Sequence, residues 1–176
     1  MSKVILKEEH AIFRKAFRQF LQQHAAPYFE QWEQEKQVPR SFWLEAGKQG
    51  FLCPWAEEKY GGSEADFGYS VIISEEMAVI GAGIGGIGLH NDVVMPYIQE
   101  FANEQQKQRW LPKAVTGEII SAIAMTEPGA GSDLAGVKTT AIKDGDNYII
   151  NGEKTFITNG YTADLVIVVC VTDPHA

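Results

Sequence analysis

The sequence predicts an α+β chain, with an all-helical part over residues 1–117 followed by the opening strands of an antiparallel sheet domain over residues 118–176. Two observations carry that expectation. Up to Gly117, apolar residues recur at three- and four-residue spacing between helix caps and stops, the period of an amphipathic helix. Beyond it they come in short, dense runs separated by turn residues, the pattern of strands.

From Glu8 to His24, the residues Ile12, Phe13, Ala16, Phe17, Phe20 and Leu21 form one apolar face, and Pro27 ends or redirects that helix. A second helix is expected after Pro39, with Ser41 as N-cap, Phe42, Leu44 and Ala46 along it, and Gly50 as its stop. Pro54, Tyr60, Gly61 and Gly62 read as a loop. Further helices are expected over Tyr69–Ile80, Asp92–Phe101 and Glu104–Val115, the last opened by Asn103 with Gln106 completing a capping box. The strand candidates are 119–125, 139–142 and 148–150, with 143–147 supplying a turn. Asn151-Gly152 before 153–158 signals another hairpin, and 164–171 is apolar enough for a strand covered on both faces.

A net charge of −8 among 176 residues, with a pI near 5.0, excludes a phosphate-backbone binder, so nucleic acid is not an expected partner. No apolar run approaches the roughly 20 residues that span a bilayer. Met1-Ser2-Lys3-Val4 leads straight into charged, helix-like sequence, which reads as neither signal nor transit peptide and makes a cytoplasmic chain the expectation. Cys53 and Cys170 lie far apart in apolar surroundings and read as reduced, buried thiols; with His10, His24, His90 and His175 scattered, no metal constellation is expected.

Gly81-Ala82-Gly83-Ile84-Gly85-Gly86 satisfies the dinucleotide-binding glycine pattern, as does the overlapping run from Gly83 to Gly88. That chemistry needs a strand before the glycines and a βαβ unit around them. The preceding 74–80 is helix-like, so these glycines read as a close-packed bend between helices.

Chemistry concentrates in Ala124-Met125-Thr126-Glu127-Pro128-Gly129-Ala130-Gly131-Ser132-Asp133 and, about 20 residues on, in Asn151 to Gly160. A strand running into a Pro/Gly loop exposes backbone N–H groups and small hydroxyls, which suits a flavin ring and a pyrophosphate. Thr126, Ser132 and Thr158 can donate hydrogen bonds, and Phe156 can pack on an aromatic ring. From the residues alone, a polar turn before a hairpin fits equally well.

These two segments, in this order and spacing, resemble the signature segments of the acyl-CoA dehydrogenase family, and the likeness runs from the first helix to Asp173-Pro174 with a long-chain flavour. The resemblance implies a helical N-terminal domain, a β-barrel-like middle domain and a C-terminal helical bundle, of which the last is expected to be absent before Ala176. It also implies FAD-dependent α,β-dehydrogenation of an acyl-CoA thioester to a trans-2-enoyl-CoA, with electrons passing to an electron-transferring flavoprotein and a homo-oligomeric complete enzyme. By matched position, Ile123, Ala124, Met125, Thr126, Gly131, Ser132, Phe156, Ile157 and Thr158 would contact FAD. Ser132, Gly85 and Gly88 would meet the substrate, the glycines leaving room for a medium-to-long acyl chain. The family's catalytic glutamate comes from the C-terminal region and is matched by no residue here; Glu127 and Asp133 are expected to be structural, held by local hydrogen bonds. A non-catalytic binding module of the same fold and an acyl-CoA oxidase-like flavoenzyme are the alternatives.

Overall fold

A computed structural model describes residues 6–80 and 86–173. The helical part begins with α1 (Glu8–His24), which buries Phe17, Phe20 and Leu21. His10 is buried as well, while Ile12, expected on the same stripe, is 64% exposed. The reason lies in α4 (Phe67–Val79): its N-cap Asp66 accepts from Gly68 N–H and meets His10 Nε2 at 2.9 Å, so the packed face of α1 is rotated toward His10. Behind that contact Arg14 and Arg18 of α1 hold the buried Glu76 of α4 at 2.6–2.9 Å.

Pro27 does redirect the chain, through a single turn at Ala26–Tyr28, but a short helix the sequence did not signal follows: α2 (Phe29–Glu35), with Trp32 buried and Lys36 in left-handed conformation at φ 54°. Next is α3 (Arg40–Lys48). Ser41 is not its cap; Pro39, at φ −68° and ψ 147°, opens the helix two residues earlier with no side-chain cap bond. The expected 92–101 helix starts earlier and is irregular. It comprises α5 (Ile87–Leu89), a π-helical turn at His90–Val94, and α6 (Met95–Phe101). The capping box on α7 (Glu104–Val115) is present, with Asn103 Oδ1 accepting from Gln106 N–H at 2.9 Å and Gln106 Oε1 from Asn103 N–H at 3.0 Å.

Among the described residues four strands follow: β1 (Ser121–Ala124), β2 (Thr140–Asp144), β3 (Asn147–Asn151) and β4 (Leu165–Val168). β2 and β3 form an antiparallel hairpin turned at Gly145, whose φ of 59° is the left-handed conformation its turn requires. β1 and β4 pair in parallel, Ser121 opposite Leu165 through Ala124 opposite Val168. Two strand expectations are corrected. Residues 152–157 form no strand after Asn151-Gly152, because Gly152 is pressed against the Thr139 side chain instead of turning a hairpin. β4 is covered on one face only, with Leu165 and Ile167 against the helices and Val166 40% exposed.

The core has two clusters. One gathers Phe17, Phe20, Trp43, Phe51, Ile73 and Ile120, the other Tyr60, Met95, Ile98, Leu111 and Val115 with Leu165 and Ile167 laid against it. The sheet thus docks on the helices at both. Arg40 at the start of α3 grips Asp164 with both guanidinium nitrogens at 2.9 Å, and Asp164 also accepts from Ile120 N–H.

Candidate functional site

β1 is buried at every residue, and it delivers Met125 and Thr126 half-exposed at its C-terminal end. The chain then folds back over Pro128-Gly129: Glu127 N–H donates to the Ala130 carbonyl at 2.9 Å and Ala130 N–H to the Glu127 carbonyl at 3.1 Å. Beyond this turn Gly131 and Ser132 are exposed, and a Cβ added at Gly129 or Gly131 would meet nothing within 4 Å. Asp133 closes the next turn by accepting from Ala135 N–H at 3.2 Å, the local role expected of it.

The second segment lies beside the first. Thr155 N–H donates to the Thr126 carbonyl at 3.0 Å, so Ile123–Thr126 and Phe156–Thr158 are brought together. Phe156 sits at φ 56° and is 93% exposed. A large aromatic in the left-handed region and almost fully solvated is expensive on both counts, an arrangement typical of ligand-facing positions. Among the described residues the hydroxyls of Thr126, Ser132 and Thr158 make no hydrogen bond, whereas that of Thr139 does. An open cleft of about 420 Å³ adjoins Thr158, walled by Phe29, Trp32, Lys36 and Tyr161.

Gly86, at φ 67°, abuts the second segment: a Cβ there would fall 2.8 Å from Thr158 Cγ2 and 3.0 Å from Asn159 Nδ2. Gly86 therefore serves close helix-to-loop approach. Gly88, on α5, faces open space. Gly81 to Gly85, and with them the Gly85 candidate, lie outside the described residues.

Glu127 is nearly buried and fully engaged. Lys138 N–H, Thr139 N–H, the Thr139 hydroxyl and Lys154 Nζ all donate to its carboxylate, the backbone and lysine contacts at 2.8–2.9 Å. The Lys154 ammonium, then the Thr139 hydroxyl and the Lys138 N–H, pull its pKa down to about 2. A carboxylate with so low a pKa is a weak proton acceptor near neutral pH, and its charge is already held by four donors, three on Oε1 and one on Oε2, so it is poorly suited to act as a general base. Sequence reasoning assigned Lys154 and Thr139 no role at this site and offered Gly152 only as a hairpin signal. Their partners are 12 to 29 residues away and nothing local marks them, although Lys154 does fall inside the second motif.

Beneath the segments the neutral His90 ring accepts from Ser121 Oγ at 2.8 Å and donates to the Ala114 carbonyl at 3.2 Å, while Asn159 Nδ2 donates to the Ser121 carbonyl at 3.2 Å. The first ties β1 to the helices and the second ties the second loop to β1.

Comparison with known proteins places this geometry. The model of the acyl-CoA dehydrogenase N-terminal domain matches residues 7–118, and that of the middle domain matches 122–176. The long-chain specific acyl-CoA dehydrogenase of Sus scrofa, a mitochondrial protein, is 46% identical over 172 residues, covering 98% of this chain and 40% of that protein. The crystal structure of an acyl-CoA dehydrogenase from Geobacillus kaustophilus superposes with a TM-score of 0.95 at 61% identity, over 99% of this chain and 46% of that one. A glutaryl-CoA dehydrogenase from Mycobacterium smegmatis, solved in complex with FADH2, gives a TM-score of 0.87 at 29% identity over 96% of this chain and 44% of that one. The chain thus spans less than half the length of each. None of its helices, among the described residues, is long and apolar enough to cross a membrane.

Proposed function

The chain belongs to the acyl-CoA dehydrogenase family, and from that premise we propose that it supplies the flavin-facing half of an FAD-dependent enzyme that converts an acyl-CoA thioester to its trans-2-enoyl-CoA, a step of fatty-acid β-oxidation. The observation that carries the reading is the backbone bond from Thr155 to Thr126, which sets the two signature segments edge to edge with free hydroxyls and an exposed aromatic between them. Bound FAD would supply the acceptor for the hydride leaving the substrate's β carbon.

This chain's residues do the positioning. The backbone from Ile123 to Thr126 and the Thr126 and Thr158 hydroxyls offer hydrogen bonds to the flavin's polar edge; Phe156 and Ile157 present apolar surface to its ring; Gly131 and Ser132 let a pyrophosphate or thioester approach the loop backbone closely. Glu127, with its pKa held down by its donors, is too weak a base to take the substrate's proton, so the proton acceptor is assigned to sequence outside this chain. Electron-transferring flavoprotein as the electron acceptor, a homo-oligomeric complete enzyme and a cytoplasmic location belong to the same proposal; the free Cys53 and Cys170 agree with a reducing compartment.

Titrating the chain with FAD tests it. The expected result is a weak, saturable perturbation of the flavin spectrum that is lost in Thr126→Val and Thr158→Val, weak because much of the cofactor's wall lies outside this chain. No perturbation at any FAD concentration, or an equal one in both variants, overturns the reading. Chain length is testable at Gly88, where a larger side chain meets no neighbour within 4 Å. Gly88→Phe should leave the unfolding midpoint within error and weaken long-chain acyl-CoA binding relative to butyryl-CoA; a wild-type preference for butyryl-CoA sinks the medium-to-long assignment.

A further inference from the structure

We propose that Lys154 is a positioning residue for the flavin-facing loop: its ammonium, seated between the Glu127 carboxylate and the Met125 carbonyl, sets the orientation in which Thr126 is presented. The inference rests on the reading of Thr126 as a flavin partner.

Lys154 Nζ donates at 2.9 Å to the Met125 carbonyl and at 2.9 Å to Glu127 Oε1, and the side chain is only 11% exposed. The next residue, Thr155, donates its N–H to the Thr126 carbonyl. Peptide units are planar, so holding the Met125 carbonyl fixes the plane before Thr126 and holding the Thr126 carbonyl fixes the plane after it. Both backbone torsions of Thr126 are then set from residues 154 and 155, and its N–H and hydroxyl have a fixed aim. The anchor for the ammonium is itself immobile, because Lys138 and Thr139 hold the Glu127 carboxylate with backbone N–H groups. Gly152 lets the strap come this close: a Cβ there would collide with Thr139 Oγ1 and Cβ, the hydroxyl that caps the same carboxylate. This gives Asn151-Gly152 a role that hairpin chemistry did not.

A lysine that merely neutralised Glu127 would be replaceable by any cation. One that positions the loop needs a compact ammonium whose separate N–H groups diverge toward a carbonyl and a carboxylate, which the planar guanidinium fork of arginine does not offer. Lys154→Arg therefore separates the two roles. In the 15N-labelled chain, Lys154→Arg is expected to keep its urea midpoint near wild type while the Thr126 and Glu127 amide resonances move and the Glu127 amide, bonded to the Ala130 carbonyl, exchanges about tenfold faster, the scale of losing one charge-assisted bond. Amides in α1 to α4 should not respond. Lys154→Met should show the same local change with a lowered midpoint. An unchanged Thr126 amide in Lys154→Arg overturns the proposal, as does acceleration spread evenly over the whole chain. Should both variants fail to fold, the wild-type chain still decides. Its Lys154 ammonium protons should be visible in slow exchange, coupled across the hydrogen bond to the Met125 carbonyl carbon, and an ammonium exchanging like those of surface lysines refutes the clamp. Failure of the cofactor reading is distinguishable: a chain that shows this pattern but binds no FAD keeps the clamp and loses the flavin.

Discussion

Gly50 and Gly117 form a matched pair for testing how the sheet is joined to the helices. Their φ values are 78° and 77°, so alanine pays the same left-handed backbone penalty at each, about 1–2 kcal/mol. They differ in surroundings. A Cβ at Gly50 meets nothing within 4 Å, whereas one at Gly117 lands on the Trp43 carbonyl and 3.0 Å from Leu44 N, both backbone atoms of α3 that cannot swing aside. The approach is reciprocal, since a Cβ at Gly47 of α3 would land on the Thr116 carbonyl group and 2.8 Å from Gly117 N. Gly117→Ala must therefore push α3 off the α7–β1 turn, adding an overpacking cost of about 1–3 kcal/mol. We expect Gly50→Ala to destabilise by about 1–2 kcal/mol and Gly117→Ala by about 2–5 kcal/mol. Urea unfolding followed by the fluorescence of Trp32, Trp43, Trp55 and Trp110, with circular dichroism as a second probe, measures both. Equal losses for the two variants would refute the claim that close approach to the Trp43–Leu44 backbone, and not turn conformation, makes Gly117 necessary.

His90 should give the protein an acid-sensitive step. Burial pulls its pKa down to about 4, with the Ala114 carbonyl opposing, so the neutral ring's contribution is complete above its unfolded value of 6.5 and is lost as pH falls through 4. Between those limits stability should drop by up to about 1.4 kcal/mol per pH unit, and His90→Gln should flatten that slope in urea midpoints taken at several pH values. Glu127 acts lower: its contribution is complete above its ordinary value of 4.5 and is lost as pH falls toward about 2, so Glu127→Gln should flatten only the acid limb below 4.5. Cys53 is fully buried, its thiol pKa pushed up by that burial, while Cys170 is half-buried. A thiol reagent should thus label Cys170 in the folded chain and Cys53 only on unfolding, and fast modification of Cys53 in native buffer would contradict its placement.

Features decided within a few residues were legible in the sequence. The Asn103–Gln106 capping box and the Gly145 turn are such cases, because each bond partner sits at a fixed offset along the chain. The edge of a packing face was not. Three- and four-residue spacing admits Ile12 to the α1 stripe, and only Asp66, 56 residues from its partner, reveals that His10 takes the buried place. Asn151-Gly152 misled for a related reason: the same dipeptide serves a hairpin or a close approach, and which one depends on Thr139 being across from it.

Glu127 shows where the boundary falls for a functional site. A glutamate beside flavin-suited residues invites the role of base, and desolvation arguments alone require only that a buried carboxylate be satisfied. Which groups satisfy it decides its chemistry. A carboxylate partnered by a single neutral donor could still shuttle a proton, but one ringed by two backbone N–H groups, a hydroxyl and an ammonium has its charge locked in place. Those donors come from residues 138, 139 and 154, brought together by the turn at Pro128-Gly129 and by the Gly152 contact. The sequence therefore holds the inventory of the site, while the roles follow from which distant segments the fold sets against it. In this chain the fold uses its one well-buried acid in the signature loop to hold Thr126 still.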